Sequence, residues 1–204
     1  MRRAYEQDPK AVKQWLEVDY PAIVKLAKQE GTEIHWGDEM GLDQTGRSYG
    51  KRGQTPVVPG TGQRFGCNLI STLTNHGTLY FKLFTQTFNG NVMLDFLRRL
   101  IRQIPKKVFL IVDKHPVHLS AKINRWLEQH AERIRMFLLP SYSPELNSDE
   151  LLNHDVKANT VGRKRAKTKF EMIENVRRHL RRRQRQPEVV QRFFCEKHVA
   201  YAAQ

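Results

Sequence analysis

The sequence predicts an α/β fold: a mixed five-stranded sheet, three antiparallel strands then two parallel ones, with helices on both faces. Three observations lead there. Phe65–Thr74 and Thr78–Phe88 alternate in polarity and are joined by Asn75-His76-Gly77, whose Asn and Gly tolerate positive φ and so make a β-hairpin turn. The period then changes, with Met93, Phe96, Leu97, Leu100, Ile101 and Ile104 forming the stripe of an amphipathic helix ended by Pro105. Finally, Val108–Val112 is a short, unbroken apolar run, the mark of a strand covered on both faces.

The other elements follow in order. Residues 9–29 carry Trp15, Val18, Ile23, Leu26 and Ala27 at helical spacing, with Pro21 restarting or kinking the helix and Gly31 closing it. A strand follows that points Ile34, Trp36 and Asp38 one way and His35, Gly37 and Glu39 the other. Only one of the two acids then faces a given site. Residues 42–63, rich in Gly, Pro, Thr and basic residues, read as an irregular excursion with a short strand near Thr55–Val58. After Val108–Val112, a helix with Leu119, Ile123, Trp126 and Leu127 leads to another buried strand, Arg135–Leu139. A hairpin followed by strand–helix–strand–helix gives a mixed sheet with helical layers. The carboxyl ends of central strands in such sheets gather functional groups, and Asp38 and Asp113 lie there. Leu151, Leu152 and Val156 continue a helix towards Lys157; Phe170, Ile173, Val176 and Leu180 stripe the next; Pro187–Gln204 reads as a closing helix. The expected organisation is a helical lead-in (1–32), a core (33–160) and basic C-terminal helices packed on it (161–204).

Composition narrows the function classes. No apolar run approaches the ~18–20 residues of a membrane helix, and the N-terminus lacks a signal peptide's apolar core. Cys67 and Cys195 sit far apart without CxxC spacing, which fits a reducing compartment. The expected location is cytoplasmic, with no membrane partner. Net charge is +14, and residues 157–185 hold 12 Lys or Arg against Glu171 and Glu174. A block of this kind attracts a polyanion by counterion release without reading sequence. Arg178, Arg181, Arg182 and Arg185 align on one helical face opposite an apolar one, which reads as a docked, DNA-facing surface. Lys157, Arg163, Lys164 and Arg165 extend it, while Lys51, Arg52 and Arg64 in the Gly-rich excursion are candidate phosphate contacts.

The chemistry is carried by acids that end or follow buried runs. Ile34–Glu39 and Val108–Asp113 each end on an acid, and Leu138-Leu139-Pro140-Ser141-Tyr142-Ser143-Pro144-Glu145-Leu146-Asn147-Ser148-Asp149-Glu150 reads as strand end, proline-bracketed loop and acidic helix start. Carboxylates from separate elements suit magnesium, a hard ion that prefers oxygen. Two such ions, ~3.5–4 Å apart, can activate an attacking oxygen and neutralise a leaving one in phosphodiester chemistry. Trp36-Gly37-Asp38-Glu39, Val112-Asp113-Lys114-His115-Pro116-Val117-His118 and Leu139 to Glu150, with Gly50 to Pro56 and Asp155-Val156-Lys157, resemble the DDE transposases of bacterial insertion sequences. The similarity is to the insertion-sequence 630 group of the Tc/mariner superfamily and runs from about residue 10 to 201.

That resemblance implies a ribonuclease-H-like fold with Asp38, Asp113 and Glu150 as a metal-binding catalytic triad, and 36 residues separate the last two. It also implies Mg2+ or Mn2+, two ions, as cofactor. Strand cleavage at transposon ends would be followed by attack of the freed 3′ hydroxyl on target DNA, in a bacterial, nucleoid-associated protein. Partners would be both DNAs, a second copy of the chain in a homodimer, and a separate or upstream helix-turn-helix module. Lys114 and Ser148 depart from the family pattern, which commonly has Asn or Gly, and Pro, at those places. Because the chain begins almost at the catalytic region, a split-frame product, a fragment or a decayed copy is expected.

Other readings stand beside this one. Glu150 can close a capping box with Asn147. Asp149, Glu145 and Asp155 compete for the third acid but are expected to be structural or solvent-facing, Asp149 pointing roughly 100° from Glu150 around the helix. Glu39 replaces Asp38 if the strand parity is reversed. His115 and His118 have metal-ligand spacing, though the expected role of His118 is to support the ligands, as for Asn147, or to contact DNA. Trp36 and Trp126 read as core. A nuclease without strand transfer, or an inactive DNA-binding remnant, are the alternative functions.

Overall fold

The computed structural model describes residues 5–43, 65–161 and 166–203. The strand near Thr55–Val58 and the candidate contacts Lys51, Arg52, Arg64, Arg163, Lys164 and Arg165 lie outside them. The lead-in is α1 (Pro9–Gln14), a π-helical turn over Trp15–Asp19, and α2 (Tyr20–Glu30). Pro21 thus starts a new helix, where its missing N–H costs nothing, and Gly31 ends it at φ 63°.

Strands β1 (Glu33–Asp43), β2 (Gly66–Leu73) and β3 (Leu79–Phe84) form an antiparallel meander. β3 stops well short of Phe88. Gly77 turns the hairpin at φ 89° and lies against the Pro187 backbone, where a Cβ would meet the carbonyl oxygen at 2.5 Å. Helix α3 (Gly90–Gln103) opens on Asn89, whose side chain accepts from the Asn91 and Val92 amides, and ends where Ile104 turns extended before Pro105. β4 (Val108–Val112) follows, then α4 (Ala121–Gln129) and β5 (Ile134–Leu138). The sheet order is β3-β2-β1-β4-β5, with β4 parallel to both β1 and β5. This is the mixed five-stranded sheet of a ribonuclease-H-like fold.

β4 alternates its side chains between two cores. Phe109 and Ile111 join Trp36, Leu69 and Leu73 beneath α2 and the C-terminal helices. Val108, Leu110 and Val112 join Ile70, Met93, Leu97 and Trp126 beneath α3 and α4. The chain then forms α5 (Asp149–Val156), a π-helical turn (Lys157–Val161), α6 (Lys169–Gln184) and α7 (Pro187–Arg192). Three aromatic segments meet here: Trp15 Nε1 donates to the Tyr201 hydroxyl at 3.0 Å, which donates to Leu146 O at 2.8 Å, and Tyr201 packs edge-on against Trp36.

Four expectations need correction. β5 is an edge strand, so Arg135 is exposed and Met136, Phe137 and Leu138 are only half-buried instead of fully covered. Leu119 precedes α4 and is 47% exposed, because the turn after Asp113 delays the helix to Ala121. Phe170 is 75% exposed, since Met172, Val176 and Leu180 are the residues of α6 that face the sheet. The closing segment is broken, with α7 followed by 3-10 turns over Phe193–Cys195 and Ala200–Ala203. Among the described residues no helix is long and apolar enough to cross a membrane.

Candidate metal centre

The parallel register of β1 and β4 levels two acids. Trp36 pairs with Ile111; Asp38 stands two residues further along β1, and Asp113 just past the end of β4, so both acids lie at the same end of the sheet. Gly37 permits this packing. A Cβ there would stand 3.0 Å from Thr72 Cγ2 and 3.2 Å from Leu110 Cδ1. The third acid arrives from the other end of the chain, on a loop laid across the sheet. Asn147 Nδ2 donates to Gly37 O at 3.0 Å, while its Oδ1 accepts from the Asp149 amide at 3.1 Å. One side chain thus pins the start of α5 onto β1. One turn beyond Glu150, Asn153 Nδ2 donates to Asp38 Oδ2 at 2.7 Å.

The electrostatics follow from this convergence. Burial pushes Asp38 from its ordinary 3.8 up to about 8, and the charges of Glu150 and Asp113 add to the shift. Burial likewise lifts Glu39 from 4.5 to about 8, with Asp113 and Asp38 contributing. Asp149, fully buried, is raised well above the carboxylate range by burial and by Asp38, although Ser71 Oγ donates to its Oδ2 at 2.8 Å. Burial also works against the charge of Asp113, but the His118 imidazole and the His115 amide outweigh it and hold this acid below its ordinary value. Glu39 Oε2 and Asp149 Oδ1 are buried oxygens with no hydrogen-bond partner. Acids crowded this closely cannot all ionise in bare protein. A hard divalent cation, which prefers oxygen donors, fits such a set.

Of the three acids expected together, Asp38 is within electrostatic reach of both Glu150 and Asp113. Asp149 is not solvent-facing as one reading allowed. α5 lies against the sheet end, so its first residue turns inward and meets Ser71, the cross-strand neighbour of Asp38. Glu150 closes no capping box. Ser148 precedes α5 without a side-chain cap bond, and Asn147 spends its amide on Gly37. Glu145 accepts from Gln7, and Asp155 pairs with Arg183 and His179, so both act as structural acids. Glu39 emerges on the opposite face from Asp38 and still reaches the site, beside Asp113 and His118. His118 is 1% exposed, which removes it from any DNA-contacting surface. Lys157, Arg178, Arg181, Arg182 and Arg185 are all exposed.

Sequence reasoning missed Asn153 and Ser71. Asn153 carried a signal, its spacing of one helical turn from Glu150; Ser71 carried none, because its role depends on which residue the antiparallel register sets beside Asp38.

A family model described as DDE superfamily endonuclease matches residues 33–186. Among curated proteins none matches significantly. Among solved structures, the mariner Mos1 paired end complex with Mg is similar at TM-score 0.64 and 18% identity, over 100% of this chain and 66% of that one. The Mos1 strand transfer complex is similar at TM-score 0.63 and 18% identity, over 100% and 65%. The catalytic domain of Mos1 mariner transposase aligns at TM-score 0.63 and 15% identity, over 100% of this chain and 98% of that one. The chain therefore spans just under two thirds of the Mos1 chain in its DNA complexes and nearly all of the Mos1 catalytic domain.

Proposed function

We propose that this chain, which belongs to the DDE superfamily endonucleases, is the catalytic part of a transposase that cuts DNA at transposon ends and joins the freed 3′ hydroxyl to target DNA. The observation that carries this reading is that buried Asp38 feels the charges of Asp113 and Glu150 from two distant segments and is hydrogen-bonded by Asn153, on the helix that carries Glu150. Its place within the insertion-sequence 630 group, in a bacterial nucleoid, and its work as a homodimer with a helix-turn-helix module belong to the same proposal. The solved Mos1 structures include a paired end complex and a strand transfer complex, which supports DNA as the partner.

Asp38, Asp113 and Glu150 would hold two divalent ions. Bound there, Mg2+ or Mn2+ would make water or a sugar hydroxyl a competent nucleophile and neutralise charge on the leaving oxygen. The chain's own residues prepare that site. Asn153 donates to one Asp38 oxygen, which fixes the direction of the other. Asn147 sets the distance between Glu150 and β1 by tying the loop carbonyls and amides together. The His115 amide donates to Asp113 Oδ1 at 3.0 Å and keeps that acid charged. The exposed arginines of α6, with Lys157, would hold the phosphate backbone by charge alone.

A supercoiled-plasmid assay with Mg2+ tests the reading. We expect nicking by the native chain and a loss of at least about 100-fold in Asp113→Asn, the scale on which removal of one electrostatic stabiliser acts. Equal nicking by both proteins would refute it. Joining of a pre-cut oligonucleotide to a second DNA separates transposase from a nuclease that stops at hydrolysis.

A further inference from the structure

The loop after β4 carries chemistry that the three-acid reading does not use. His118 Nδ1 lies 3.1 Å from the Asp113 carbonyl oxygen. A carbonyl only accepts, so the Nδ1 proton is committed on that side, where Asp113 Oδ1 also stands at 3.1 Å, and the ring nitrogen left to other partners is Nε2. That nitrogen faces Glu39 Oε2 at 3.6 Å, beyond hydrogen-bond length. Glu39 Oε2 is itself buried and has no hydrogen-bond partner. The two atoms thus face each other across a gap too wide for a direct hydrogen bond. His115 offers Glu39 no closer partner: its Nδ1 accepts from the Val117 amide at 3.2 Å, and its Nε2 stands 3.9 Å from Glu39 Oε1.

The spacing suits a shared ion. Two ligands each about 2.1 Å from a metal, at angles between square and tetrahedral, stand roughly 3.0–3.5 Å apart. Ligand atoms of Glu39, Asp113 and His118 all lie within 4.8 Å of one another. The second shell is already built. The Nδ1–H bond to a backbone carbonyl is the bond that orients metal-ligating histidines, and Phe88 packs against the His115 and His118 rings at 5.3 and 5.7 Å. Glu39 leaves β1 on the face opposite Asp38.

We infer that Glu39, Asp113 and His118 form a cation site of their own, sharing Asp113 with the all-carboxylate site and taking Mn2+ or Zn2+ in preference to Mg2+. The preference follows from the imidazole, which suits borderline transition ions better than hard magnesium. The inference rests on the reading of Asp113 as a metal-holding residue. It adds that a further cation, bound through nitrogen, stands beside those of the all-carboxylate site.

The full chain, stripped with chelator and titrated with Mn2+, tests this by electron spin-echo spectroscopy, which detects nitrogen-14 bonded to the ion. We expect nitrogen modulation in the native protein, its loss in His118→Gln, and its persistence in the Asp38→Asn/Glu150→Gln double variant. Glu39→Gln should weaken the nitrogen-coupled ion about 10-fold or more, the scale on which even supporting groups act. It also serves as the second variant should His118→Gln melt early. Equimolar Mg2+ should leave the nitrogen signal in place. Mn2+ bound without nitrogen coupling would overturn the inference, leave the three-acid reading standing, and make Glu39 and His118 a plain ion pair. Nitrogen coupling that survives His118→Gln would also overturn it. Failure to bind Mn2+ at all would sink both readings.

Discussion

Ser148 sits at the entrance to α5 with φ −63°, and its hydroxyl is buried without a partner. The residue before it, Asn147, is extended at φ −96° and ψ 114°. Both conformations are those that a proline and its predecessor adopt. Ser148→Pro should therefore stabilise the chain by about 0.4–1 kcal/mol through the unfolded state, with a further gain from removing an unsatisfied hydroxyl. A melting temperature raised by roughly 2–4 °C is the expected reading for a protein of this size. An unchanged or lowered one would show that the serine makes a contact of its own.

At the scale of elements, α5 and α6 are joined by one buried ion cluster. Asp155 accepts from Arg183 Nη2 at 2.6 Å and Nε at 2.7 Å, and lies 2.6 Å from His179 Nε2. Arg183 is nearly buried, so one arginine of the basic run is a strut and not a DNA contact. Burial raises the Asp155 carboxyl, but the Arg183 and His179 hydrogen bonds and charges outweigh it and hold it well below the ordinary 3.8. A depressed acid stabilises the fold above its unfolded value, so this contribution is complete at neutral pH and fades as pH falls below about 4. Asp155→Asn leaves Arg183 buried and unpaired and should cost about 3 kcal/mol. In chemical denaturation that deficit should shrink as pH drops towards 3. A deficit independent of pH would refute the assignment.

At the scale of the molecule, the acid cluster reverses the usual pH behaviour. Asp38 and Glu39 have values of about 8 in the fold, against ordinary unfolded values near 4. A raised acid means that the native state holds more protons than the unfolded one between those limits, so stability declines as pH rises from about 4 to 8. In chelator the chain should be most stable at mildly acid pH. Added Mg2+ or Mn2+ binds only the folded chain and should raise the melting temperature most near pH 8. Identical melting with and without cation at pH 8 would count against the metal centre. The basic face of α6 makes a separate demand. Arg178→Ala with Arg182→Ala should weaken DNA binding whatever the sequence and lower the salt slope by about 2.

Much of this was legible along the chain because the signals are local. Alternation, a helical stripe and a buried run located the strands and helices, and acids closing apolar runs marked Asp38 and Asp113. What the linear order could not settle is what depends on the crossing of distant elements. The lie of α5 against the sheet end turned Asp149 inward and brought Asn153 to Asp38. The fold-back after β4 carried His118 under Asp113 and onto Glu39, although strand alternation sends Glu39 away from Asp38. Periodicity states which residues share a face, but charges and hydrogen bonds act through space, and only the packed chain determines which faces meet.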